Sequence, residues 1–289
     1  MVASLALAGC SALRLGYSNG PQLAWWWLDG YFDFSSAQSP LVKRTIDQWF
    51  DWHRGTQLAD YAALLAAARQ QVLEPTTGSA ACGWQDRARA QVDPALQRAI
   101  NDFADVLPTL GDAQLRYLDQ RYAAKNDEMR KDFLQPDAAL RLRESVKRAV
   151  ERAERVYGSL DDAQLKVISA GVAASSFNPE LWLAERQRRQ RDTLQTLRKL
   201  IAERADKPQR VAALKGLVQR FELSPNAEYR GYQARLSDYN CTLAAQIHNA
   251  TTPAQRRVAR DRLQGWEADL RSLVNRSDAP LPGPQATGG

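Results

Sequence analysis

An all-α fold, a multi-helix bundle of about eight to ten helices, is predicted by three features of this 289-residue sequence. Glycine and proline are sparse, at 16 and 13 residues, while Ala, Leu, Gln, Arg and Glu fill long stretches, a composition that favours helix over strand. Apolar residues recur at the three- and four-residue spacing that places them on one face of a helix. A capping residue followed by proline recurs at Ser39-Pro40, Asp93-Pro94, Asn178-Pro179, Ser224-Pro225 and Thr252-Pro253, each offering an N-cap oxygen and a proline at the first helical position. The 44% hydrophobic content supplies a substantial core.

Residues 10–37 form an aromatic-rich amino-terminal segment, and the helical domain spans 38–277. After Ser39 the series Leu41, Val42, Ile46, Trp49, Phe50, Leu58, Tyr61, Leu64, Leu65 and Val72 predicts one long amphipathic helix. Glu74 to Gly83 contains Pro75, Thr76, Thr77, Gly78 and Ser79, which predicts a loop carrying Cys82. Helical stripes follow at Leu96, Ile100, Phe103 and Leu107, then at Leu115, Leu118, Tyr122, Met129 and Phe133, then at Leu142, Val146, Val150 and Tyr157. Leu194, Leu197 and Ile201 continue the pattern, and two more stripes run from Tyr229 to Ile247 and from Val258 to Val274. Residues 278–289 lack apolar periodicity and predict a disordered tail.

A net charge of +6 suits a polyanionic partner, whether nucleic acid, anionic lipid head groups or acidic glycan. Three cysteines, at 10, 82 and 241, are too few for a disulfide scaffold and lack the close spacing of a zinc site.

The first ten residues give the cysteines a context. Met1 to Gly9 is an apolar, small-residue stretch ending in Leu7-Ala8-Gly9-Cys10. It resembles the lipobox of bacterial lipoproteins. That resemblance implies a signal peptide at residues 1–9, cleavage before Cys10, and lipidation of the Cys10 thiol. Ser11, rather than Asp, follows the cysteine, which implies an outer-membrane destination facing the periplasm. The bundle then sits behind an N-terminal lipid anchor, and two or three acyl chains make release negligible at about 0.8 kcal/mol per buried methylene. In an oxidising periplasm Cys82 and Cys241 are the one remaining pair for a disulfide; the alternative is two buried free thiols.

Behind Cys10 come Trp25-Trp26-Trp27-Leu28-Asp29-Gly30-Tyr31-Phe32-Asp33-Phe34 and, further on, Trp49-Phe50-Asp51-Trp52-His53-Arg54. This pattern resembles a family of proteobacterial lipoproteins known only as a domain of unknown function, which implies the envelope location and no particular activity. Trp25, Trp26 and Trp27 point in different directions on any regular element, so core packing of the segment still leaves at least one facing solvent or a second surface.

An internal echo pairs Leu110-Gly111-Asp112-Ala113-Gln114-Leu115 with Leu160-Asp161-Asp162-Ala163-Gln164-Leu165, and Thr252-Pro253-Ala254-Gln255 is a weaker third copy. These segments resemble the LTxxQ motif of helical periplasmic stress chaperones of the Spy and CpxP type. A cap residue followed by Gln at the third helical position is also a capping box, the reading the spacing favours.

The sequence has no phosphate-binding glycine loop, nucleophile elbow, CxxC or HExxH, and His53 and His248 are its two histidines. No cofactor or metal is expected. Asp29, Asp33, Asp51 and His53 form the candidate acid-base cluster of an envelope hydrolase, although carboxylates beside aromatic residues more often cap helices or pair with arginine. Glu185 to Arg191 is the densest basic run, and Arg186, Arg188, Arg189 and Arg191 wrap around a helix instead of forming one stripe. Intrahelical pairs of Glu185 with Arg188 or Arg189 are expected there, with anionic lipid or lipopolysaccharide phosphates as the candidate ligand. The leading expectation is a non-catalytic envelope lipoprotein that binds an envelope component, with no nucleic-acid partner. A periplasmic chaperone or stress adaptor is the alternative.

Overall fold

The computed structural model describes residues 11–275. The predicted signal peptide, the lipidation site Cys10 and the predicted tail at 278–289 lie outside that span. The described residues fold as twelve α-helices and one 3-10 turn, without strands. In chain order the helices are α1 (Ser11–Ser18), α2 (Gly20–Phe32), α3 (Ser39–Thr56), α4 (Leu58–Gln71), α5 (Gly78–Val106) and, after the turn Leu107–Thr109, α6 (Asp112–Phe133). They continue with α7 (Ala138–Tyr157), α8 (Asp162–Ala173), α9 (Pro179–Ala202), α10 (Lys207–Glu222), α11 (Ala227–Asn249) and α12 (Pro253–Asn275).

The all-α class is as expected, but the expected eight to ten helices fall short for local reasons. The series from Ser39 to Val72 is broken at Gln57, which ends α3 and opens α4. The aromatic segment, whose apolar residues lie on every side, forms α1 and α2. Lys207–Glu222 is a further helix, announced by Asp206 and Gln209, which close a capping box.

The predicted loop from Glu74 to Gly83 is cut short. Thr77 Oγ1 accepts the Ala80 N–H, α5 begins at Gly78, and Cys82 sits on a helix. Asp93-Pro94, expected to start a helix, lies within α5. Pro94 has no N–H to give the Ala90 carbonyl, and Ala90 is exposed, so water can satisfy the lost acceptor.

Helices distant in sequence close the bundle. The most extensive packing joins α4 to α12, α5 to α11, and α6 to α9, while α1 lies against α12. Cys82 on α5 and Cys241 on α11 form a disulfide with Cα atoms 5.3 Å apart. The core has three connected parts. Ile100, Leu107, Leu115, Leu118, Leu194, Leu197 and Leu214 fill the space among α5, α6, α9 and α10. Phe34, Val42, Ile46, Val106 and Leu110 seat α2 and α3. Leu58, Ala62, Leu270 and Leu273 join α4 to α12, with Leu13 and Tyr17 of α1 packed on them.

Candidate functional site

Two regions gather the residues singled out by sequence. The first is the amino-terminal helix pair. The α1 and α2 helices run on almost without interruption, because Asn19 N–H donates to Leu15 O and Leu23 N–H to Asn19 O across the join. Gly20 lets the start of α2 meet the Phe50 ring at a distance no Cβ would permit. One side of the pair is locked down. Arg14 pairs with the buried carboxylate of Asp269 at 3.0 Å, and Tyr17 Oη lies 2.8 Å from His53 Nδ1. Trp25 stacks on Phe34 with the Lys43 ammonium over its indole.

The other side faces outward and carries no charge. Leu15 is 65% exposed, Leu23 49%, Trp26 61% and Trp27 63%. Steps of four, three and one residue put Leu23, Trp26 and Trp27 on one face, and the four-residue hydrogen bonds across Asn19 bring Leu15 into line. The tryptophan triplet therefore divides: Trp25 packs inward while Trp26 and Trp27 turn out.

His53 is buried between α1, α3 and α4. Trp49 stacks on it at 4.6 Å, Tyr61 Oη lies 3.3 Å from Nε2, and burial lowers its pKa. Among the described residues no hydrogen bond or ion pair joins Asp29, Asp33 or Asp51 to His53. Asp29 Oδ1 instead accepts the Phe34 N–H where α2 ends. The four residues proposed as an acid-base cluster are thus not assembled as one. His248 is also an interior residue: Nε2–H donates to Glu74 O at 2.8 Å, so Nδ1 accepts the Tyr157 hydroxyl at 2.9 Å. Among the described residues no grouping of His, Cys, Asp or Glu could hold a metal ion.

The second region is built on α9. Its arginines do not form one solvated patch. Glu185 is 5% exposed and fully engaged: Oε1 accepts from Arg188 and Arg189, and Oε2 from Arg188 and the buried Ser224 hydroxyl. Burial by itself raises the Glu185 pKa, but the bonds from Arg188, Arg189 and Ser224 outweigh it and hold the carboxyl below its usual range. Arg188 continues to Asp192 at 3.3 Å, and Asp192 receives two bonds from Arg220 on α10, both at 2.9 Å. The expected pairs of Glu185 with Arg188 and Arg189 are present. Arg191 is exposed.

Arg186 is placed differently. Its Nε donates to Oδ1 of the buried Asn126 on α6 at 2.9 Å, and Asn126 in turn exchanges bonds with Gln190. Arg186 and Arg189 line a cleft of about 350 Å³ whose other walls include Tyr122, Trp182, Phe221 and Tyr229. Burial lifts the Tyr122 and Tyr229 hydroxyls above the ordinary tyrosine range. The rings of Trp27, Tyr31 and Tyr122 stand 5.0 and 6.2 Å apart in succession, linking the outward face of α2 to this cleft.

Sequence reasoning marked the arginines but not Asn126, Gln190, Trp182 or Phe221, and it marked Ser224 only as a helix cap. Ser224 was expected to cap a helix with Pro225 behind it. Asn226 takes that role, accepting the Glu228 and Tyr229 N–H groups.

A family of unknown function (DUF6279) matches residues 30–230. The chain belongs to this family. The DUF6279 span runs from the end of α2 to the start of α11, so it contains every residue named here as lining the cleft. The exposed strip of Leu15, Leu23, Trp26 and Trp27 precedes it. Among curated proteins and solved structures, nothing matches the chain.

Proposed function

We propose that this DUF6279 member is a lipoprotein of the cell envelope, acylated on Cys10 and tethered to a membrane, whose helical body binds an envelope component without catalysis. The observation that carries this reading is the uncharged outward strip of α1 and α2, whose first residue, Leu15, lies on the helix that starts at Ser11. Acyl chains on the Cys10 thiol stand one residue, about 3.8 Å of chain, from the first helical residue. In this reading the helix pair lies at the bilayer surface. Leu15, Leu23, Trp26 and Trp27 are the residue types that settle at the boundary between head groups and acyl chains. Burying four such side chains there contributes on the order of 4 kcal/mol beyond the acyl chains. Because Arg14 and Tyr17 fix α1 to the body, the anchor would set the orientation of the whole bundle. Ser11 behind Cys10 favours the outer membrane, facing the periplasm.

No described helix is long and apolar enough to cross a membrane, so attachment in this reading rests on lipid and on the strip. Intact mass of the membrane-extracted protein tests it. A lipid increment on a chain that begins at Cys10, lost in Cys10→Ser, is the expected result. A chain that retains Met1 and carries no added mass overturns the proposal. The strip is tested by tryptophan quenching with brominated lipids: Trp26→Ser with Trp27→Ser should abolish most of the quenching while leaving the lipid mass in place.

A further inference from the structure

The α9 network is not electrically balanced. Glu185 and Asp192 pair with Arg188, Arg189 and Arg220, three cations against two carboxylates, and Arg186 adds a fourth cation beside the same cleft. Arg188 and Arg220 are each committed to carboxylates, and Arg189 spends its Nε on Glu185. Among the described residues Arg186 makes no ion pair. Its partner is the neutral Asn126 amide, which is itself pinned by Gln190 and so holds the guanidinium in position without neutralising it.

That excess charge borders a cavity with aromatic walls. Trp182 from α9 is braced edge-on by Phe133 at 5.4 Å, and Phe221 from α10 lies under the Arg189 guanidinium at 5.9 Å. Tyr122 and Tyr229 line it from α6 and α11, and Gln190, Thr193 and the Glu185 carboxylate, already engaged by Arg188, Arg189 and Ser224, line it from α9. A cleft of about 350 Å³ is at the small end of ligand sites. Two guanidinium groups beside it match the planar fork of a carboxylate, and the rings match a flat apolar body.

We infer that this cleft is a binding site for a small aromatic carboxylate, with the carboxylate held by Arg186 and Arg189 and the ring system between Trp182, Phe221 and Tyr229. The site shares no residue with the amino-terminal strip, and the inference does not depend on acylation. The test therefore uses the full chain carrying Cys10→Ser, with the Cys82–Cys241 disulfide intact, so that its outcome is independent of the lipoprotein reading.

Naphthalene-2-carboxylate is titrated by saturation-transfer NMR, with inorganic phosphate, the anion lacking a ring, added as a competitor whose affinity is read from loss of the naphthoate signal. Saturable binding with a Kd on the order of 1 mM is expected for a ligand of this size. Arg186→Gln should weaken it about tenfold or more, whereas Arg191→Gln on the exposed face of the same helix should leave it unchanged. Raising the salt concentration on the unsubstituted cleft should also weaken binding, a readout that needs no variant to fold. Absence of saturable binding up to about tenfold above that Kd overturns the inference. So does phosphate binding as tightly as the naphthoate, or equal weakening by Arg191→Gln.

Discussion

Gln164 and Gln255 exchange their side-chain amides: Gln164 Nε2 donates to Gln255 Oε1 at 2.7 Å, and Gln255 Nε2 donates back to Gln164 Oε1 at 2.9 Å. Each Oε1 also accepts the backbone N–H of its own cap residue, Asp161 at 3.0 Å and Thr252 at 2.8 Å. Two helix N-termini are thereby clasped through their capping boxes. Gln38 and Gln114 repeat the arrangement at 2.8 and 3.2 Å, with Ser35 and Gly111 as the residues whose N–H groups are accepted. Gly111 has no side chain with which to return the capping bond.

Gln164→Ala removes a cap contact and one half of the clasp, and should cost about 1 to 2 kcal/mol in chemical denaturation. Combining it with Gln255→Ala should cost less than the sum of the two single changes, by about 1 kcal/mol. Strict additivity would show that the exchange of amides contributes nothing of its own.

Glu185→Gln leaves Arg188 and Arg189 facing a neutral amide in a buried setting, and should cost about 3 kcal/mol. The pH dependence has a definite sign. Because the folded Glu185 pKa is lowered, its contribution is complete above the ordinary carboxylate range and is lost as the pH falls through the folded value. Denaturation curves of wild type and variant should therefore converge in acid.

Stability should begin to fall at a higher pH because of the histidines. Burial lowers the pKa of both His53 and His248 in the fold, a Glu74 carbonyl opposing and Arg256 assisting at His248. Well above about pH 6.5 the histidines are neutral in both states and the contribution is whole. On acidification the unfolded chain takes protons first, so folded stability declines below about pH 6.5. Replacing both histidines by Gln should flatten that limb of the stability profile; an unchanged slope would assign it to other groups.

Reduction should cost stability far more than two cysteines suggest. The Cys82–Cys241 bridge spans a sequence separation of 159, and closing such a loop stabilises the fold by about 5 kcal/mol in the chain-entropy model. Cys82→Ser with Cys241→Ser should lower unfolding free energy by about 3 to 5 kcal/mol, measured by urea denaturation. A loss below about 1 kcal/mol would mean that the unfolded chain already keeps α5 near α11.

Much of the fold was legible because helix starts are written locally. Asn178 caps α9 through the Leu181 N–H, Thr252 caps α12 through the Gln255 N–H, and Asp161 caps α8 as its spacing from Gln164 requires. Where the reading failed, a distant partner decided. Helix α5 continues through Pro94 while its first turns are bound to α11 by the disulfide. Ser224 was drawn into the α9 network by Glu185, 39 positions away. Arg186 belongs with the cleft because Asn126, 60 positions earlier, holds it there.

The contact between Arg14 and Asp269 also has a mechanical meaning. A pull on the amino terminus would not peel α1 away into an extended chain, because the load passes at once into α12. From there it spreads to α4 and α7, the helices against which α12 packs. The first described helix and the last thus act as a clamp, and tension at one end of the molecule is resisted by the other.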